Sequence, residues 1–254
     1  VAVDGDGAII EKPYGIGIAE GDGPLSAHEK WKVIGYRSEL STTQSHLASG
    51  ATGRFPWPAA AQNFYLVSSD ADDDGDPAGN GARTIEFYGI NAAGAIAHET
   101  VTLNGTTVVA TVGTYLAPVI DSTVVASAGS SGFNEGTITC GTANPPAAAS
   151  TAWTMGPGTN QAAGSVYMVP TGKTAYLWKV LAQEASNSGT TFRMYVQEPG
   201  GLFLRRDVWL TNESSVIDLY QIPPDWPAGT RVEVTGQAVT GTSVAAVKML
   251  GWTE

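Results

Sequence analysis

Short runs rich in Val, Thr, Ile and Tyr, separated by turn residues, recur from about residue 64 to the end of the chain, and this pattern predicts an all-β protein. Phe64-Tyr65-Leu66-Val67 opens the series. In Thr84-Ile85-Glu86-Phe87-Tyr88, Ile85 and Phe87 alternate with polar or amphipathic neighbours, the two-residue period of a strand with one buried face. Asn91-Ala92-Ala93-Gly94 then turns the chain into a run ending at Leu103. Asn104-Gly105 follows, between Thr100-Val101-Thr102-Leu103 and Thr106-Thr107-Val108-Val109, and predicts a β-hairpin closed by a type I′ turn. Runs around Tyr115 to Ala126 and Gly136 to Cys140 complete an N-terminal β-sandwich over residues 61–142.

The Pro- and Ala-rich stretch Ala143-Asn144-Pro145-Pro146-Ala147-Ala148-Ala149-Ser150 opens an expected linker, 143–164. Beyond it lie seven strand candidates, from Val166–Pro170 through Thr174–Leu181, Thr191–Gln197, Leu202–Leu210, Val216–Ile222 and Thr230–Thr235 to Ser243–Trp252. Their spacing predicts a C-terminal β-sandwich or jelly roll over 165–254. Residues 1–60 differ. Gly5-Asp6-Gly7 and Gly21-Asp22-Gly23 punctuate polar sequence with sparse apolar content, which reads as an extended arm. The arm either orders against a neighbouring subunit or forms a loop-rich edge of the first sandwich, and Phe55 and Trp57 are expected to anchor its end.

Composition narrows the function classes. A net charge of -11, with only 13 scattered basic residues, argues against nucleic acid as a partner, because phosphate neutralisation needs clustered Lys and Arg. No apolar stretch is long enough for a membrane helix, and Val1-Ala2-Val3-Asp4 lacks the character of a secretory signal, so a soluble chain is expected. The one cysteine, Cys140, excludes a disulfide framework within the chain and reads as a small buried hydrophobe.

Each chemical motif weakens on inspection. Asp70-Ala71-Asp72-Asp73-Asp74-Gly75 begins like an EF-hand loop, but its twelfth position is Gly81 in place of the bidentate Glu, which leaves a solvated acidic turn, with a looser calcium site at Asp70, Asp72, Asp74 or Asp76 as the alternative. Pro170-Thr171-Gly172-Lys173-Thr174 ends like a phosphate loop, yet position 167 is Tyr where that loop needs Gly, so Lys173 reads as a turn residue opening a strand. His28, His46 and His98 show no zinc spacing. The expectation is therefore no enzyme, no cofactor and no metal, with protein surfaces as the working parts. Trp57, Trp153 and Trp226, each beside Pro or Gly or in a probable loop, are the candidate interface aromatics.

Two blocks carry a resemblance. Val67-Ser68-Ser69-Asp70 with Ala78-Gly79-Asn80-Gly81-Ala82-Arg83-Thr84-Ile85, Gly89-Ile90-Asn91-Ala92 and Glu99 to Val108 is similar to a module in uncharacterised virion structural proteins of tailed phages, of the capsid decoration or cement kind. Val169-Pro170-Thr171-Gly172-Lys173-Thr174-Ala175-Tyr176-Leu177 and Pro223-Pro224 to Arg231 resemble the same proteins, so that the resemblance spans residues 64–252. It implies a virion structural protein. Without fibre repeats or a long coiled coil, the expected place is the outer surface of the head. There the chain would cement the shell as a homo-oligomer, a trimer, bound to the major capsid protein. A receptor- or glycan-binding module of the tail or fibre is the alternative.

Overall fold

The computed structural model describes residues 29–186 and 188–254, together with two short strands near the N-terminus. The protein is all-β. In chain order the strands are β1 (Ala2–Val3), β2 (Ile9–Ile10), β3 (Glu29–Leu40), β4 (Ser45–His46), β5 (Tyr65–Ser68), β6 (Ala82–Asn91), β7 (Ile96–Thr102), β8 (Val109–Ala110), β9 (Tyr115–Pro118) and β10 (Val124–Ala128). There follow β11 (Ile138–Gly141), β12 (Thr151–Met155), β13 (Val166–Met168), β14 (Ala175–Glu184), β15 (Thr190–Gln197), β16 (Leu204–Thr211), β17 (Ser215–Leu219), β18 (Asp225–Trp226), β19 (Arg231–Ala238) and β20 (Ser243–Thr253). A short 3-10 turn, Ile120–Ser122, joins β9 to β10.

The first sandwich packs the sheet β10-β6-β7, with β9 also on β6, against the sheet β12-β11-β5-β8. The alternation in β6 sends Ile85 and Phe87 inward, where they meet Phe64, Leu66, Ile138, Cys140 and Trp153 in one core. The second sandwich packs β17-β14-β20-β3 against β13-β19-β15-β16, with β4 also on β19 and β18 on β14. Phe192, Met194, Val196, Val232, Val234, Leu177, Val180, Val247 and Met249 fill its centre. All seven strand candidates beyond residue 165 are strands.

Three expectations need correction. The arm ends before Glu29: residues 29–40 form a long strand paired with β20 from Glu29↔Thr253 to Ser243↔Leu40, which makes β3 an edge of the second sandwich. The two-residue period is present there as Trp31, Val33, Gly35 and Arg37, but a glycine and an arginine occupy two of the four inward positions and hide it. The Gly-Asp-Gly clusters lie outside the described residues. Second, the expected linker 143–164 contains β12, all five residues of which are buried, so that it is part of the first core. Third, the turn at 104–107 is present but it does not close a hairpin. β7 pairs with β6 while β8 pairs with β5, so the turn carries the chain from one sheet to the other. The positive φ falls on Gly105 (53°) and not on Asn104, and Gly105 is stitched to the acidic loop by its N–H to the Asp73 carbonyl (2.9 Å).

The first sandwich is thus inserted into the second, between β4 and β13. Residues 41–58 make the outward crossing and lie over β19 and β12: Ser49 N donates to Thr154 Oγ1 (3.1 Å), Thr52 N to the Ala148 carbonyl (2.8 Å), and Leu47 N to Ser165 Oγ (2.8 Å). Leu47, Ala48, Ala51 and Phe55 are all buried by this crossing. Gly236 permits it, since a Cβ there would come within 2.8 Å of Leu40 and 3.0 Å of Leu47 side-chain carbons.

Candidate interaction surface

Within the acidic loop the carboxylates divide: Asp72 and Asp76 are exposed, whereas Asp70, Asp73 and Asp74 bond the loop itself and its neighbours. Asp73 is fully buried, and its carboxylate accepts four hydrogen bonds: Ala82 N (2.8 Å) and Glu135 N (2.9 Å) on Oδ1, Ser68 Oγ (2.6 Å) and Gly136 N (2.9 Å) on Oδ2. It ties the acidic loop to the strand opening at residue 82 and to the segment before β11. Asp70 and Asp74 cap their own loop, accepting from Asp72 N and Asp76 N at 2.9 Å each, as Asx turns do. Among the described residues no three His, Cys, Asp or Glu side chains converge as metal ligands.

Two further buried carboxylates are held in the same way. Glu233, in the outer row of β19, receives Arg54 Nε (3.0 Å) and Nη2 (2.8 Å) on one oxygen and Phe55 N (2.7 Å) on the other. Burial still keeps its carboxyl above the ordinary range, against the pull of Arg54. The Arg54 guanidinium is clamped between the rings of Tyr195 (4.3 Å) and Phe203 (4.4 Å). Glu184 is pushed up by burial, but hydrogen bonds from Ser186, Glu213 N and Ser243 outweigh this and leave its carboxyl below the usual range. Cys140 is fully buried, and desolvation pushes its thiol well up.

The histidines lie apart. His46 is buried against Phe55, edge to face with centroids 5.8 Å apart, and burial pushes its pKa down to about 4. His98 is exposed, stacked on Tyr88 and bonded to Glu86 Oε1 (2.5 Å). His28 lies outside the described residues. Lys173 does sit in the turn before β14, its N–H on the Pro170 carbonyl and its ammonium 3.4 Å from Glu29.

The tryptophans predicted as interface anchors face inward. Trp153 is in the first core and Trp226 in the second. Trp57 is half-buried at the crossing, edge-on to Phe55 (4.7 Å) and beneath the Arg231 guanidinium (5.4 Å), so it joins the two sandwiches of its own chain. Between the sandwiches lies a cleft of about 310 Å³ lined by Trp31, Asp121, Tyr167 and Lys173 among others. Its two ring faces are stacked on each other, Trp31 on Tyr167 at 4.3 Å and 10°, which leaves no open aromatic platform there.

What the chain does display is aliphatic. β16 and β17 end their respective sheets, one neighbour each, and border the same side of the second sandwich. Trp209 and Val216 point in; Val208 (46% exposed), Leu210 (69%), Ile217 (57%) and Leu219 (55%) point out, flanked by Leu202, Leu204 and Ile222. A free strand edge beside a row of exposed apolar side chains is a template for another protein surface. The signal was available in the sequence: Val208-Trp209-Leu210 and Val216-Ile217 are apolar at both parities, which a strand with one wet face does not need.

No family model matches the chain, and no curated protein matches it. Among solved structures, the chain has weak matches in structures of infectious bursal disease virus. A chain from the Gt strain is 9% identical over 89% of this chain and 81% of that chain, with a TM-score of 0.12, and one from the Gx strain is 10% identical over the same shares, also at 0.12. Scores that low do not mark a common fold.

Proposed function

We propose that this chain is a non-enzymatic virion structural protein, a decoration or cement subunit of a tailed-phage head that works as a homotrimer on the major capsid protein. The observation that carries the reading is the pair of free edges β16 and β17, bordering one side of the second sandwich, with exposed aliphatic side chains on the outer face of each sheet beside them, in a molecule whose buried carboxylates and tryptophans are used internally. Burying apolar surface contributes roughly 25 cal/mol per Å², less orientation and ordering costs, and a small gain per subunit is multiplied over a shell. The resemblance of residues 64–252 to phage virion proteins supplies the setting. Cryo-electron microscopy of intact particles tests this: density for both sandwiches over the capsomers at three-fold positions is the expected result. Density confined to the tail overturns the head assignment, and absence from the particle overturns the reading as a whole.

A further inference from the structure

Two surfaces of this chain carry opposite charge, and neither is neutralised within it. The first is the outer face of β15 and β16. Cross-strand register puts Arg205 opposite Tyr195 and Arg193 opposite Val208, and Leu210 follows on the same side opposite Thr191. The carboxylates close by in the same sheet already have partners. Glu233 is held by Arg54 and Phe55 N, Glu198 pairs with Arg206 (3.4 Å), and Asp207, opposite Met194 on the inward side, accepts the Tyr220 hydroxyl (2.7 Å). Among the described residues Arg193 and Arg205 therefore have no carboxylate, and Nη1 of Arg193 is buried without an acceptor. A guanidinium in that position has lost hydration without gaining a charge-assisted hydrogen bond.

The second surface is the end of the first sandwich where the acidic loop meets the loop before β11. Ser131 Oγ donates to the Asn80 carbonyl (2.8 Å), Gly129 N to the Gly81 carbonyl (2.8 Å), and Glu135 N to Asp73 Oδ1 (2.9 Å), so the two loops form one rigid end. Asp70 and Asp74 turn their carboxylates onto their own loop. Asp72, Asp76 and Glu135 are exposed, and among the described residues none of the three carboxylates forms an ion pair. Phe133 stands beside them 44% exposed, although its ring is of the kind that a monomer buries. Arg83, the basic side chain at the base of this loop, donates to the Gly79 carbonyl (3.0 Å) and leaves the carboxylates free.

We propose that this acidic end of one copy docks on the β15–β16 face of a second copy, with Asp72 and Asp76 on Arg193 and Arg205 and with Phe133 against Val208 and Leu210. Both surfaces belong to the same folded chain and remain unpaired in it, so they are not partners within one molecule. The contact runs head to tail, and a head-to-tail contact repeated by rotation closes a ring. Copies of net charge -11 repel each other in most orientations, whereas local complementarity favours this one. The inference rests on the homo-oligomer part of the proposed function and deepens it: the β16 face goes to the neighbouring copy, and the β17 face, with Ile217 and Leu219, to the capsid.

Sedimentation velocity of the full chain tests the contact by charge reversal and rescue. The parent should sediment as an oligomer. Arg193→Glu with Arg205→Glu, and separately Asp72→Lys with Asp76→Lys, should each raise its dissociation constant at least about tenfold, because like charges then face each other across the contact. A chain carrying all four substitutions brings opposite charges together again and should assemble within about threefold of the parent. Circular dichroism checks that each variant keeps the parental strand signal. If Arg193→Glu disturbs the fold, Arg205→Glu alone, at an exposed position, should still weaken assembly. A parent oligomer unmoved by either reversal, or two weakened variants whose substitutions fail to rescue when combined, overturns this contact and leaves the homo-oligomer standing. A monomeric parent overturns both the contact and the trimer, while the place in the virion is still decided by reconstruction of the particle.

Discussion

At the residue scale, the chain uses ionisable groups as internal fasteners. Asp73 holds three backbone N–H groups and one hydroxyl that would otherwise be buried without acceptors, and Glu233 holds the start of the crossing at Phe55 as well as Arg54. His46 is the opposite case, a group kept neutral by burial. Its folded pKa of about 4 lies below the ordinary 6.5, so between these values the unfolded chain binds the proton and the folded one does not. Its contribution is present above pH 6.5 and is lost as pH falls towards 4, amounting to about 3 kcal/mol over the window. Urea melts of the parent and of His46→Leu at pH 7.5 and 4.5 check this: the parent should lose about 3 kcal/mol more than the variant on acidification. Equal losses would show that the ring is reached by water or by a proton partner.

At the element scale, β3 decides what the N-terminal region is. It places Trp31 and Val33 in the second core, and Leu40 and Leu47 close the same core from the strand end and the crossing. Gly251 lets the Trp31 indole lie on β20, since a Cβ there would stand 2.5 Å from the ring, and Trp31 Nε1 donates to the Trp252 carbonyl at 3.1 Å. Removal of residues 1–50 should therefore unfold the second sandwich, because four large side chains leave its core at about 1.5–3 kcal/mol each. Removal of residues 1–28 should leave both sandwiches folded. Circular dichroism of the two truncations compares these outcomes: the shorter chain should keep only the strand signal of the first sandwich, and a full parental strand signal from it would contradict the place given to β3.

The same strand shows what was legible in sequence. Wherever inward positions are uniformly apolar, as in β6 and β15, alternation alone located the strand and its buried face. It failed at β3, where Gly35 and Arg37 stand inward, and at β12, a five-residue strand between a Pro-rich stretch and a loop. The Asn104-Gly105 turn was visible but its strands' partners were not, because pairing across sheets depends on residues far away in the chain. The interface aromatics failed for a related reason: Trp57 lies in a crossing that is itself covered, while Trp153 and Trp226 sit on short strands, β12 and β18, that turn them into the two cores.

At the scale of the whole molecule, the first sandwich is inserted into the second and the β16 and β17 edges of the second are left open. If β16 and β17 are the contact surface, charge placed there should abolish attachment without touching the fold. Leu210→Lys and Ile217→Lys are expected to melt within about 0.5 kcal/mol of the parent, since both side chains are more than half exposed. Binding to particles stripped of this protein, followed by co-sedimentation, should nevertheless fall at least tenfold. Full binding by both variants would move the contact surface elsewhere.

The insertion of one sandwich into the other also sets an order of events during synthesis. β3 is made well before its pairing partner β20, which lies more than two hundred residues further along, Glu29 meeting Thr253. The inserted sandwich has all its strands, residues 65 to 155, before any of β13 to β20 exists, and it can close as a unit while β3 waits unpaired. The outer sandwich is then completed from both ends at once, by a closure spanning more than two hundred residues that the already folded insert shortens in effective length. Loss of any part of β20 would thus leave one finished sandwich and one open sheet, so that the second sandwich can close only once that strand has been made.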